Sequence, residues 1–223
     1  MPIVIDGVLY ALALGAAGGV VAWVAGPWFA APLWTVGAFC LYFFRDPERR
    51  PPAGDVAVSP ADGKVVAVKP EGAGSVRISV FLNVFDVHVN RSPVAGEITE
   101  VRYQPGRFHV ASREESSRQN EQNIITIAGD GTTVVLKQIA GLIARRVVCS
   151  KRPGDRVALG ERVGLIKFGS RADIVFGPEW EIAVRLGQRV KGGSSVIARR
   201  VEALAVSAAA HALSGREDVM DGN

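Results

Sequence analysis

Cysteine is scarce in this chain, and so is histidine. Two cysteines, Cys40 and Cys149, are too few to staple a fold of 223 residues, and Cys40 lies inside an apolar run. A disulfide-built secreted scaffold is excluded, and a reducing, cytoplasmic setting for the polar part is the simpler reading. The histidines number three, His88, His109 and His211. No His/Cys group has the spacing of metal ligands, so no metal is expected. Any imidazole chemistry must use one of these three side chains. Charge is missing from the first 44 residues, which hold no Lys or Arg and one acid, Asp6. The remainder carries all 26 basic residues and 21 acids, a net charge of +5. A basic body beside an uncharged segment suits an anionic membrane surface. Nucleic acid is the rival partner, but no helix-turn-helix, RNP-like or zinc-finger pattern supports it.

What fills the uncharged segment is "GVLYALALGAAGGVVAWVAGPWFAAPLWTVGAFCLYFF", residues 7–44. It is too long for one signal-peptide core and lacks a basic n-region. Gly26-Pro27 divides it into runs 7–25 and 28–44, each near the ~17–20 residues of a spanning helix. Trp23, Trp28 and Trp34 cluster around the break, where interfacial aromatics belong. The pattern predicts a hydrophobic helical hairpin over 1–44, spanning or deeply inserted; a buried helix pair is the alternative. Arg45, Arg49 and Arg50 follow directly, which places residues 45–223 on the cytoplasmic side of the inner membrane.

From Pro51 the texture changes. Short Val- and Ile-rich runs alternate with Gly, Pro and Asp turns, as in "GSVRISVFL", "NIITIAGDGTTVVLKQIAG" and "EIAVRLGQRV". This predicts a mainly β catalytic domain, a sandwich or barrel, with turn–strand texture like that of lipoyl domains. "ASREESSRQNEQN", 111–123, reads as a loop or lid, and "EALAVSAAAHALS", 202–214, as a short helix carrying an incidental His211.

Three polar points interrupt the apolar strands. Asp62 lies in "SPADGKV", where Asp-Gly also suits a plain turn. His88 lies in "FLNVFDVHVNRSP", with Asp86 on the same face if the strand is regular. Gly169-Ser170 interrupts "GLIKFGSRADIVF", where a strand would carry Val or Ile. An acid, a base and a hydroxyl from separate strands are the parts of an activated nucleophile. The serine is not in G-x-S-x-G, which weakens a serine peptidase acting on other chains. In this setting the target at hand for Ser170 Oγ is the carbonyl of Gly169 itself. Such an N→O acyl shift needs a base and donors for the oxyanion.

"SPADGKV", "NVFDVHVNRSP" and "IKFGSRADIVF", with "FFRDPERRPP" after the hydrophobic segment, resemble the short-form bacterial and archaeal phosphatidylserine decarboxylases over residues 43–200. The resemblance implies a proenzyme that cuts itself between Gly169 and Ser170. Residues 1–169 then form a β chain and 170–223 an α chain, a heterodimer whose further oligomerisation is left open. Ser170 becomes a pyruvoyl group, the only cofactor implied, with no metal and no pyridoxal phosphate. That group forms a Schiff base with phosphatidylserine and, on loss of CO2, gives phosphatidylethanolamine. Asp62, His88 and Ser170 match the family's processing triad in type. Longer relatives carry H-x-x-H where this chain has His88-Val89-Asn90-Arg91, so which of their histidines His88 replaces stays open. Asn83, Asn90 and Arg91 are candidates to orient the serine headgroup. Two other readings stand beside this one: an archaetidylserine-type decarboxylase, and a membrane-anchored lipoyl- or biotinyl-like binding module.

Overall fold

The computed structural model describes residues 4–142, 147–167 and 169–201. The stretch 202–214, with His211, lies outside the described residues. The chain opens with two apolar helices, α1 (Ile5–Ala25) and α2 (Pro27–Phe43). Gly26 between them takes φ +100°, a region other residues enter only under strain. Pro27 occupies the first turn of α2, where its missing N–H has no helical partner to lose. The helices lie side by side; a β-carbon at Gly18 would overlap the Trp34 indole. By length and composition α1 is long and apolar enough to cross a membrane, and α2 is shorter. Trp23 and Trp28, at the tip, are both 88% exposed.

Fourteen short strands follow among the described residues. They are β1 (Val56–Val58), β2 (Gly63–Pro70), β3 (Val76–Leu82), β4 (Val89–Arg91) and β5 (Gly96–Gln104). After a short helix α3 (Ser116–Gln119) come β6 (Gln122–Gly129), β7 (Thr132–Ile139), β8 (Val147–Cys149), β9 (Arg156–Val157) and β10 (Arg162–Ile166). The last are β11 (Ser170–Phe176), β12 (Trp180–Ile182), β13 (Arg189–Val190) and β14 (Val196–Arg200). Eight form a curled antiparallel half-barrel in the order β13-β2-β3-β11-β7-β6-β5-β9. Two three-stranded sheets, β1-β14-β12 and β4-β10-β8, accompany it.

Period-two alternation builds the core. Ile78, Val80 and Leu82 of β3, Ala172, Ile174 and Phe176 of β11, Val134 and Leu136 of β7, and Ile125 and Ile127 of β6 are all fully buried in one cluster. Burial of each larger side chain stabilises the fold by roughly 1.5–3 kcal/mol. The β6–β7 hairpin closes on Asp130 and Gly131, both with positive φ, as a two-residue turn matching strand twist requires. Two expectations need correction. "EIAVRLGQRV" is two strands in different sheets, β12 and β13, because the chain turns at Arg185–Gln188. "NVFDVHVNRSP" is a turn followed by the three-residue β4, so Asp86 and His88 do not share a strand face.

Candidate active site

The Gly169–Ser170 bond sits where β11 begins. Ser170 is paired with Leu82 of β3 and faces the core side with Ala172 and Ile174. It is fully buried, and its Oγ has no hydrogen-bond partner. Gly169 takes φ +52°, which a side chain would strain. Space is not the reason for glycine there, since a β-carbon on Gly169 would meet nothing within 4 Å. The steric demand falls on Gly141, where a β-carbon would overlap the Gly169 carbonyl oxygen. The bond is thus held in a left-handed corner with its carbonyl seated on a second glycine.

His88 reaches the same end of the β3–β11 ladder. A side-chain-capped turn breaks the apolar run just before it: Asp86 Oδ2 accepts from the Asn83 amide at 2.8 Å, and Asn83 Oδ1 from the Phe85 amide at 3.2 Å. The His88 carbonyl then accepts from Ile166 N at 3.2 Å, four residues before Ser170. Its ring packs on Phe43, the last residue of α2, with centroids 4.1 Å apart. Nδ1 lies 2.9 Å from the Asp86 carbonyl oxygen. A carbonyl only accepts, so Nδ1 carries the proton and Nε2 keeps its lone pair. Nε2 is buried without a partner. Burial lowers the imidazole pKa to about 4, against the bond to the Asp86 carbonyl and aided by Arg45. At neutral pH His88 is an uncharged ring with an unengaged base nitrogen.

The outer face of β3 and β11 is clasped by the loop 105–121. Arg171 Nε meets Asp173 at 2.6 Å, its Nη2 meets Ser79 Oγ at 2.6 Å, and its Nη1 donates to the Arg113 carbonyl. Arg77 bonds Asp173, Glu71 and Glu114, while Ser117 Oγ donates to Asp173 at 2.5 Å. Ser170 and Arg171 therefore point to opposite faces, the first into the core and the second into a charged clamp.

A buried, unpartnered hydroxyl next to a left-handed glycyl carbonyl, and a buried imidazole nitrogen that is likewise unpartnered, are parts that a self-directed acyl transfer needs. The family described as phosphatidylserine decarboxylase matches residues 36–198. This chain belongs to the phosphatidylserine decarboxylase family, a family of carboxy-lyases. A phosphatidylserine decarboxylase proenzyme of Solibacter usitatus is 72% identical over 202 residues, spanning 91% of this chain and 98% of the relative. Proenzymes of the same name from Magnetococcus marinus and Saccharopolyspora erythraea are 42% and 47% identical, over 75% and 74% of this chain and 80% and 75% of theirs. These matches do not favour the carrier-module reading.

Within the decarboxylase fold the remaining expected residues divide. The Asp62 carboxylate accepts from Arg49 at 2.7 Å and from Gly192 N at 2.8 Å, while His88 Nδ1 donates to the Asp86 carbonyl instead. Burial raises the Asp62 pKa, opposed by Gly192 and Arg49. Asp62 and Asp86 line one open cavity with Arg189, Lys191 and Ser195. Asn83 serves the turn. Arg91 is spent inside the protein, on Asp46 at 2.7 Å and on the Gly160 and Pro47 carbonyls. Arg45 holds the Phe85 carbonyl at 2.7 Å and so ties α2 to the turn that presents His88. Asn90 is buried beside Gln138. His109 bonds Gln119 within the loop 105–121, apart from this group. Sequence reasoning missed Gly141, Gln138 and the Asp86 carbonyl. Gln138 and Asn123 were visible as amides ending otherwise apolar strands.

Proposed function

We propose that this chain is a proenzyme that cleaves its own backbone at Gly169–Ser170 and then decarboxylates phosphatidylserine at a membrane surface. The observation that carries the reading is the pair of buried, unpartnered atoms, Ser170 Oγ and His88 Nε2, at one end of the β3–β11 ladder. Leaving such groups unpaired costs ~1–3 kcal/mol each, a burden suited to reacting atoms. Ser170 Oγ gives its proton to His88 Nε2 and attacks the Gly169 carbonyl carbon. The C–N bond breaks, the nitrogen takes the proton back from the imidazolium, and an ester remains. Removal of the Ser170 α-proton expels the Gly169 carboxylate, leaving dehydroalanine. Water then releases ammonia, and the new N-terminus of 170–223 is a pyruvoyl group.

The fit to that group rests on Ser170 being fully buried on the core-facing side of β11 with an unengaged hydroxyl. The pyruvoyl ketone supplies the sink for the electron pair left as CO2 departs. His88 Nε2, once protonated, delivers a proton to the carbon that lost the carboxylate. The clamp on Arg171 holds the new N-terminus after the bond is cut. The α1–α2 hairpin inserts in the bilayer with the β domain on the cytoplasmic face. Its base carries Phe43, so a headgroup reaches the site while its acyl chains stay in lipid.

Intact-mass analysis tests this. The purified protein should consist of 1–169 and 170–223, the latter with a blocked N-terminus, and Ser170→Ala should remain one chain. An active, uncut wild-type chain refutes the reading.

A further inference from the structure

Three buried amides lie in series beside the cleavage site. Asn90 is fully buried on β4, and its Oδ1 accepts from Gln138 Nε2 at 2.9 Å. Gln138 Nε2 also faces the Val148 carbonyl at 3.4 Å. A carbonyl cannot donate, so this end of Gln138 is the nitrogen. Gln138 Oε1 in turn faces Asn123 Nδ2 at 3.5 Å. The amides therefore run one way, Asn123 to Gln138 to Asn90, and the series ends on Asn90 Nδ2. That donor is buried with no partner. Gln138 and Asn123 share a cross-strand row with Ala172. Ser170 is the next residue of β11 on that face, about 7 Å along the strand. Asn90 is also two residues from His88.

We infer that Asn90 Nδ2, aimed by Gln138 and Asn123, is the donor for an anionic oxygen of the substrate headgroup, its carboxylate or its phosphodiester. The inference rests on the phosphatidylserine reading above for the identity of that headgroup. A donor polarised by two further amides suits a charged acceptor, which it binds about twice as strongly as a neutral one. The oxyanion of self-cleavage is a poorer match. The Gly169 carbonyl oxygen is seated on Gly141, close to Ala111 of the loop 105–121. Asn90 lies on the other sheet, paired with Gly164 of β10.

Asn90→Asp tests the assignment. It keeps the shape and the bond from Gln138, and replaces the free N–H by a carboxylate oxygen. The variant should cut itself as wild type does on a denaturing gel. Its KM for phosphatidylserine in detergent micelles should rise tenfold or more, so that kcat/KM falls chiefly through KM. Soluble glycerophosphoserine should inhibit it at least tenfold more weakly, and should lose the melting-temperature shift it gives wild type. Gln138→Leu, which frees the Asn90 amide to turn, should raise KM about threefold. If Asn90→Asp gives no folded protein, Asn90→Ala is read by the same criteria. Glycerophosphoethanolamine separates the two oxygens: its inhibition weakens too if the phosphodiester is bound, and is unchanged if the carboxylate is. A KM and melting shift within twofold of wild type overturn the inference, leaving water as the partner. A folded but uncut Asn90→Asp also overturns it, placing the donor on the scissile bond. Wild-type protein that binds glycerophosphoserine but releases no CO2 from phosphatidylserine would count against the proposed function, while the binding comparison still judges Asn90.

Discussion

At Gly169 the backbone enters the left-handed region, whereas at Gly141 it is proximity to the Gly169 carbonyl that forbids a side chain. The second demand is the more exposing test of the site. Gly141→Ala must push the carbonyl away and so misalign the bond to be cut. Gly96, at the far end of the half-barrel, is also crowded, since its β-carbon would overlap the Ala128 carbonyl. Both Ala variants should lose about 1–3 kcal/mol of stability through overpacking. Only Gly141→Ala should accumulate uncut precursor; equal fragment ratios for the two would remove Gly141 from the site. His88 gives a second residue-scale test. Its pKa is lowered to about 4 by burial, so the neutral, base-competent ring is present above that pH and is lost as pH falls through it. Chain translated in vitro and held between pH 4 and 8 should cut itself at a nearly constant rate down to about pH 5. A half-rate point near 6.5, the ordinary imidazole value, would show that the working base is not this buried ring. His88→Ala should slow cleavage by roughly the hundred- to ten-thousand-fold typical of lost general base catalysis, and His109→Ala should cut normally.

Strand β11 links two environments because its side chains alternate. Its even-numbered residues fill the core, while Arg171 and Asp173 face the loop 105–121. Asp173 is fully buried and serves both Arg171 and Arg77. Asp173→Leu would leave two guanidinium groups beside an apolar side chain, a loss of about 3–5 kcal/mol. Glu114 bonds the same arginines from a partly exposed position, so Glu114→Gln should cost well under half as much. Urea unfolding of the two variants in a Ser170→Ala background measures this without interference from cleavage; midpoints no lower than that of the Ser170→Ala parent would mean that the clamp carries no stability. The alternation of β11 and the Asp-Gly hairpin of β6–β7 were legible in the sequence because both are local signals. The turn at Asn83–Asp86 was not, since it is built from side-chain caps inside an apolar run. Nor were β9 and β13, two residues each, which exist only through pairing with β5 and β2. The types of Ser170 and His88 could be read, but the unpartnered state of their reacting atoms is a property of burial. That Arg49 takes the Asp62 carboxylate was not legible either, because the two lie 13 residues apart and meet only in the fold.

On the scale of the whole molecule, the helical hairpin and the β domain share one wall. Phe43 and Phe44 cluster with Leu165 of β10, Lys167 pairs with Asp6 at 3.2 Å, and Val4 N donates to the Phe44 carbonyl at 2.9 Å. On the function proposed above, the hairpin has two separable tasks, holding the bilayer and covering His88. Its outward surface is apolar, with Leu9, Leu12, Val20, Trp23, Val24, Trp28 and Phe29 all exposed. Raising salt to 1 M shortens the Debye length to about 3 Å and releases proteins held by charge, but it does not weaken apolar insertion. The full chain should stay with membranes through that wash and leave only with detergent. Two alterations divide the tasks. Trp23→Asp with Trp28→Asp charges the tip, far from His88, and should loosen membrane retention while leaving self-cleavage intact. Removing residues 1–44 should release the protein into solution and also uncover the imidazole, which is 2% exposed with the hairpin in place. Its pKa should then move back up toward 6.5, and the pH profile of cleavage should shift upward with it. Tip variants that abolish cleavage, or a truncated chain with an unshifted profile, would show that the hairpin is an anchor and not a wall of the site.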